Sequence, residues 1–162
     1  MTTTPLWVAP EFSIDGVEIR VTTRAGGVSQ SPWNSQNLGD HVGDIAEHVT
    51  ENRRRLQNAL PVNRISWLRQ VHGAHSVKAA DDQVPTADAQ WTTDAGRALA
   101  VLTADCLPVV LIARDAGCIG IAHAGWRGLA AGVLESLIVS MPVTPTTLMA
   151  WLGPAISQSA YE

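Results

Sequence analysis

Two histidines and a cysteine stand in sequence segments that favour catalytic or metal-binding chemistry. His72 lies in Gln-Val-His-Gly at 70–73, Cys106 in Thr-Ala-Asp-Cys-Leu-Pro at 103–108, and His123 in His-Ala-Gly-Trp-Arg-Gly at 123–128. Each segment borders a β-rich run, so we expect all three side chains at strand ends. A thiolate and two imidazoles suit zinc, and three protein ligands leave a fourth position open for water or substrate.

The residues alone leave other interpretations open. A histidine or cysteine at a strand end is more often a packed, hydrogen-bonded residue than a metal ligand. The long separations between the three residues also differ from the tight Cys-x-x-Cys clusters of structural zinc sites. A further alternative makes Cys106 a nucleophile with a histidine as its base and Asp105 nearby, as in a metal-free Cys–His hydrolase.

The surrounding pattern predicts the elements that position these residues. A capping-box pattern formed by Asp44 and Glu47 predicts an amphipathic helix over 44–60, and a second, mostly apolar helix is predicted over 128–141. Strands are predicted over 17–23, 65–71, 76–80, 98–103, 108–113, 118–122 and 148–152. The expected fold class is therefore mixed α+β in one domain.

Composition narrows the classes of protein to consider. The 162 residues are 46% hydrophobic and carry a net charge of −4, without a basic stripe, which disfavours a nucleic acid polymer as partner. The longest apolar run, 107–113, is too short to cross a membrane, and the N-terminus has no signal pattern. We therefore expect a cytoplasmic protein with reduced cysteines.

Taken together, the motifs resemble the peptidoglycan editing factor family, also called laccase-domain or polyphenol oxidase proteins. The resemblance runs in order from about Val21 to the last residue. The segments that carry it are Thr-Arg-Ala-Gly-Gly-Val-Ser at 23–29, Asn-Leu-Gly at 37–39, Val-Gly-Asp at 42–44, Glu-Asn-Arg at 51–53, Gln-Val-His-Gly at 70–73, Ala-Asp at 87–88, Thr-Ala-Asp-Cys-Leu-Pro at 103–108, His-Ala-Gly-Trp-Arg-Gly at 123–128 and Leu-Gly-Pro-Ala-Ile at 152–156.

The resemblance implies a zinc site formed by His72, Cys106 and His123. It also implies a layered α/β/β/α sandwich related to the cysteine-hydrolase toxin-like fold. The implied activity is phosphorolysis of adenosine, inosine and methylthioadenosine, with adenosine deaminase activity. Members of the family continue beyond the segment that matches 153–162, so we expect 1–162 to form a single laccase-type domain without the family's C-terminal part.

Several other residues are candidates for roles in this chemistry. Arg24 and Arg127 could bind phosphate through their guanidinium groups, although Arg127 could instead pack at the start of a helix. Asp105 or Asp88 could carry a proton, and Asp105 could equally orient a metal ligand. Asn37 and Gln70 could bind ribose or base, or stabilise loops.

Copper is the alternative metal, because two histidines and a cysteine also form blue-copper sites, and the activity would then be polyphenol oxidation. The chain has five histidines and no paired His-x-His run, which disfavours a multicopper oxidase. A zinc-stabilised module acting in peptidoglycan editing is a third possibility. The expected partners are purine nucleosides and phosphate, and the expected state is a monomer or weak homo-oligomer.

Overall fold

The computed structural model describes residues 7–81 and 83–161, which divide into two compact units. The first unit falls within Met1–Asn63 and the second within Arg64–Glu162. The described residues form both helices and strands, which confirms the predicted mixed α and β fold class. The single domain expected over 1–162 stays a prediction.

The first unit contains a short antiparallel strand pair and one long helix. Strand β1 is Trp7–Val8, strand β2 is Val21–Thr22 and helix α1 is Ala46–Ala59. Strand β2 is shorter than the strand predicted over 17–23, whereas α1 lies within the helix predicted over 44–60. The predicted capping box is wrong, because Ile45 occupies the N-cap position and makes no side-chain cap.

The carboxylate of Asp44 is used for loop contacts rather than for a helix cap. It accepts hydrogen bonds from the hydroxyl of Ser29 at 2.7 Å, the side-chain amide of Asn37 at 2.9 Å and the amide N–H of Ile45 at 2.7 Å. From within α1, the fully buried Asn52 donates to Ser29 Oγ and to the carbonyl of Asn37, each at 2.9 Å. These polar side chains fasten the long Ser- and Asn-rich loop to the helix.

The second unit is built on a five-stranded sheet. The described residues of this unit form seven strands, which in chain order are β3 (Arg64–Ser66), β4 (Ser76–Lys78), β5 (Ala89–Thr92), β6 (Arg97–Leu99), β7 (Leu107–Ala113), β8 (Ile119–Ala124) and β9 (Leu148–Leu152). The sheet order is β4-β5-β8-β7-β9, in which β4 and β5 are parallel and the other neighbours are antiparallel. Strands β3 and β6 form a separate parallel pair.

Strand β5 is a central strand that the sequence analysis missed. The stretch around it reads as polar, yet Gln90 and Thr92 are each only 1% exposed. The side-chain amide of Gln90 donates to the carbonyls of Ser66 and Ala100, both at 2.9 Å, and these bonds satisfy a buried polar group inside a sheet. The polar side chains therefore serve the interior of this unit.

The helix predicted over 128–141 is two helices. Helix α2 is Trp126–Ala130 and helix α3 is Val133–Ser140. Gly132 between them has φ 87°, a left-handed conformation that ends the first helix. Val133 and Leu137 of α3 are fully buried in the hydrophobic core of the unit, which also includes Cys118.

Candidate metal centre

The structure brings together the three residues that the sequence analysis proposed as metal ligands. The ligand atoms of His72, Cys106 and His123 all lie within 4.8 Å of one another. The two imidazole rings meet edge to face, with centroids 4.7 Å apart and an interplanar angle of 77°. His123 is buried, Cys106 is half-buried and His72 is exposed, so the group has one open side. Two nitrogen donors and one sulfur donor fit a three-ligand zinc site.

The pairing of β7 with β8 explains why Cys106 lies beside His123. In this antiparallel register Pro108 pairs with His123 and Leu107 with Ala124. The next residues along each strand are Cys106 and Gly125, which face each other just beyond the ladder. A Cβ atom placed on Gly125 would lie 2.7 Å from the sulfur of Cys106, so only glycine leaves room for the thiol there.

The pairing of β5 with β8 places Asp88 on the other side of His123. Ala89 pairs with Ala122, and the amide N–H of His123 donates to the carbonyl of Asp88 at 2.7 Å. The side chains also meet, since the Nδ1 atom of His123 lies 2.9 Å from Oδ1 of Asp88. Asp88 is fully buried, and its neighbours in the sheet thus set its position against the histidine.

The carboxylate of Asp88 also holds the loop that carries His72. Its Oδ1 atom accepts the amide N–H of His72 at 2.9 Å, and its Oδ2 atom accepts those of Val71 at 3.1 Å and Gly73 at 2.8 Å. Burial raises the pKa of Asp88, but the hydrogen bonds from His123 and the three amides outweigh it and keep the pKa below its usual value. Asp88 therefore connects two of the three ligand residues.

The charges of Asp105 and Arg127 shift the pKa of the Cys106 thiol in opposite directions. Burial raises the pKa of Cys106, and the nearby carboxylate of Asp105 raises it further through its charge and a hydrogen bond. The guanidinium of Arg127 lowers it, which places that positive charge within electrostatic reach of the sulfur. Arg127 itself is exposed and lies 4.8 Å from the centroid of the Trp126 ring.

The other predicted site residues, Gln70, Arg24 and Asn37, form hydrogen bonds with other groups of the protein. The side-chain amide of Gln70 donates to the carbonyl of Leu102 at 2.8 Å and accepts the Leu102 N–H at 2.7 Å. In the first unit, Arg24 donates to loop carbonyls, and Asn37 binds Gly39 and Asp44. These contacts support loop-stabilising roles, and the substrate contacts of these three residues stay predictions.

Two residues of the centre have roles that the sequence analysis did not assign. Asp88 was a candidate proton carrier, whereas the structure has it holding His123 and the loop at 71–73. Gly125 was predicted to let backbone or ligand come close to His123, and the structure shows that it makes room for the thiol of Cys106. The available signals were a lone carboxylate between two alanines at 87–89 and a glycine two residues after a candidate ligand.

Fold and site together define a mixed α and β protein with a His-Cys-His group, at one end of the strands of a mixed sheet, that could hold a metal ion. The chain belongs to the family described as multi-copper polyphenol oxidoreductase laccase, whose profile matches residues 18–162. The family expected from the motifs is thereby confirmed.

Several relatives of the chain carry the name purine nucleoside phosphorylase. The chain is 50% identical over 159 residues to one from Pseudomonas aeruginosa, covering 98% of this chain and 64% of that protein. It is 45% identical over 162 residues to the purine nucleoside phosphorylase YfiH of Escherichia coli, covering 98% of this chain and 65% of that protein. The chain thus spans somewhat less than two thirds of the length of these relatives.

Solved structures agree with the fold. A Neisseria meningitidis protein superposes with a TM-score of 0.91 at 43% identity, covering 98% of this chain and 66% of that one. YlmD from Geobacillus stearothermophilus gives a TM-score of 0.87 at 36% identity, covering 96% of this chain and 64% of that one. Among the described residues, no helix has both the length and the apolar content that a membrane span requires.

Proposed function

We propose that this chain carries the site of a zinc-dependent purine nucleoside phosphorylase acting on adenosine, inosine and methylthioadenosine, with adenosine deaminase activity. The observation that carries the proposal is the convergence of His72, Cys106 and His123 within 4.8 Å. The names of the relatives support the choice of reaction. The donor set supports zinc, because imidazole and thiolate are its usual nitrogen and sulfur ligands.

In this proposal His72, Cys106 and His123 hold the metal, which when bound supplies Lewis acidity at the open side of the group. Phosphorolysis brings the phosphate anion to C1′ of the ribose and develops negative charge on the departing purine, and nearby cations or donors can bind the phosphate and stabilise the purine. Arg127 is the proposed phosphate ligand in this unit, since its charge already reaches Cys106. Arg24, Asn37 and Gln70 remain proposed substrate contacts.

Asp105 is the proposed group for proton transfer. Its carboxylate lies beside Cys106 and is exposed, so it can exchange a proton with solvent or substrate. Asp88 is less suited to that task because its two oxygens already accept four hydrogen bonds inside the protein. The two carboxylates thus have different environments and different proposed roles.

The test is phosphate-dependent release of hypoxanthine from inosine by zinc-loaded protein. His72→Ala and Cys106→Ala should lower turnover by at least about 100-fold, as expected when a ligand of a catalytic metal is removed. His75→Ala is the matched control, because this exposed histidine uses its backbone carbonyl, not its ring, to bind Asp88 and Ala89. Absence of hypoxanthine from zinc-loaded protein supplied with phosphate would reject the phosphorylase.

Copper-dependent polyphenol oxidation is the second candidate, favoured by the description of the family. Within residues 7–81 and 83–161, the His-Cys-His group is the one cluster of three or more His, Cys, Asp or Glu placed to hold a metal, whereas multicopper oxidation requires several copper sites. Metal analysis after purification without added metal, together with oxygen uptake on a phenol, separates the two. Stoichiometric copper with oxygen turnover would replace the zinc proposal.

A further inference from the structure

We propose that Asp88 is the positioning residue of this metal centre: it fixes the tautomer of His123 and holds the loop at 71–73 in the conformation that presents His72. The inference rests on the proposed metal site and adds to it a residue that binds no metal itself. Its basis is the set of four hydrogen bonds that the buried Asp88 carboxylate accepts.

The partners of Asp88 determine the role of its carboxylate in these hydrogen bonds. Three of its four partners are backbone N–H groups, which can only donate. Both carboxylate oxygens must therefore act as acceptors. Three N–H donors around the two oxygens favour the ionised carboxylate, which has no hydrogen to donate, so His123 Nδ1, which lies 2.9 Å from Oδ1, carries the hydrogen of that contact. In a neutral imidazole this leaves the lone pair on Nε2, so His123 offers Nε2 to the metal.

The backbone of His72 lies in the left-handed region of φ and ψ. Its φ is 60°, a value that few residues other than glycine adopt, although histidine adopts it more often than most. In this conformation the consecutive N–H groups of Val71, His72 and Gly73 converge on one carboxylate, forming a nest around an anion. The negative charge of Asp88 thus stabilises the strained loop that directs His72 toward Cys106 and His123.

An amide at position 88 cannot reproduce both functions. If the nitrogen of Asn took the place of Oδ1, it would face the N–H of His72 and would favour the opposite tautomer of His123, with hydrogen on Nε2. If it took the place of Oδ2, it would face the N–H groups of Val71 and Gly73. In either orientation donors oppose donors in a buried place, which costs free energy. Asp88→Asn therefore removes the positioning with little change in size.

The decisive experiment measures the tautomer and the zinc affinity separately. Two-bond ¹H–¹⁵N correlation spectra of metal-free protein, with His123 assigned from a His123→Ala sample, should show hydrogen on Nδ1 of His123. Competition with a chromophoric chelator should show zinc affinity about 10- to 100-fold lower for Asp88→Asn than for wild type. Asp94→Asn, which removes an exposed carboxylate of the same unit, should match wild type.

Two results would overturn the proposal. One is hydrogen on Nε2 of His123 in the metal-free wild type. The other is a folded Asp88→Asn variant, verified by circular dichroism, whose zinc affinity lies within twofold of wild type. If Asp88→Asn fails to fold, the wild-type tautomer decides. Wild-type protein that binds no zinc would reject the proposed function, while the tautomer would still test the role of Asp88.

Discussion

Gly125 determines how closely the thiol of Cys106 can approach the two histidines. The site tolerates no Cβ atom there, since it would lie 2.7 Å from Cys106 Sγ and 3.7 Å from Cδ2 of His72. At the residue scale, the geometry of the candidate metal centre thus depends on the missing side chain of Gly125 as well as on the three proposed ligands. The neighbouring Gly73 differs, because a Cβ there would meet its nearest atoms at 3.6 Å, an ordinary contact.

We expect Gly125→Ala to displace the sulfur and weaken zinc binding by about 10-fold or more, which corresponds to about 1.4 kcal/mol of binding free energy. Isothermal titration calorimetry of zinc into metal-free protein measures the effect. Gly73→Ala is the matched control, since alanine keeps the N–H that binds Asp88 and adds no clash. Equal affinities for the two variants would contradict the steric account of Gly125.

At the scale of elements, the break between α2 and α3 depends on one backbone angle. Gly132 has φ 87°, and a Cβ there would meet only the side chain of Glu135, at 3.6 Å. A substitution is therefore costly through the left-handed backbone and not through crowding. The apolar pattern continues across the break, which is why the sequence predicts a single helix over 128–141.

Gly132→Ala should lower the free energy of unfolding by about 1–2 kcal/mol, the cost of a left-handed conformation for a residue with a Cβ atom. Urea denaturation gives this quantity from the midpoint and slope. Gly117→Ala serves as the comparison, because its backbone is not left-handed and its nearest contact is the exposed Asp115 side chain. Unchanged stability of Gly132→Ala would mean that the break does not need glycine.

The contact of β5 with the β3–β6 pair depends on the buried amide of Gln90. Gln90→Met keeps the approximate volume but leaves the carbonyl of Ala100 without this donor, so we expect a loss of about 1–3 kcal/mol in unfolding free energy. Chemical denaturation of Gln83→Met, a change at an exposed position, provides the baseline. A loss no larger than that baseline would remove the structural role assigned to Gln90.

At the scale of the whole molecule, ionised carboxylates link folding to pH. Four carboxyl groups of the described residues have a pKa below the usual value. They are Asp44, Glu51, Asp81 and Asp88, and the pKa of Glu51 is about 2. A lowered folded-state pKa means that the unfolded chain binds more protons in acid. Stability is therefore present above the ordinary carboxyl pKa and is lost as the pH falls through the folded-state value.

Asp44 provides a direct test of this dependence of stability on pH, because its side chain is only 1% exposed. Its charge is stabilised by hydrogen bonds from Ser29, Asn37 and the Ile45 N–H. Burial raises its pKa, but these hydrogen bonds and the nearby His48 outweigh that effect and keep the pKa below its usual value. Asp44→Asn should reduce stability at neutral pH and flatten the loss of stability between about pH 5 and about pH 2. Urea midpoints across this range measure it, with the exposed Asp15→Asn as control. A parallel pH profile for Asp44→Asn and wild type would contradict the linkage.

The amino-acid sequence was enough to predict the family, the helix α1, the strands β7, β8 and β9, and the grouping of His72, Cys106 and His123. Apolar periodicity and residue chemistry are local properties, so they can be read without coordinates. The expected monomer or weak homo-oligomer and the expected cytoplasmic location stay predictions.

The neighbours of His72, Cys106 and His123 could not be predicted without the tertiary structure. The registers of β5, β7 and β8 place Asp88 on one side of His123 and Cys106 beside Gly125 on the other. Strand register is a long-range choice that residues distant in sequence make jointly, and a one-residue slip would turn every side chain to the opposite face. The geometry of the candidate metal centre is therefore a property of the assembled sheet, although its three proposed ligands can be recognised in the sequence.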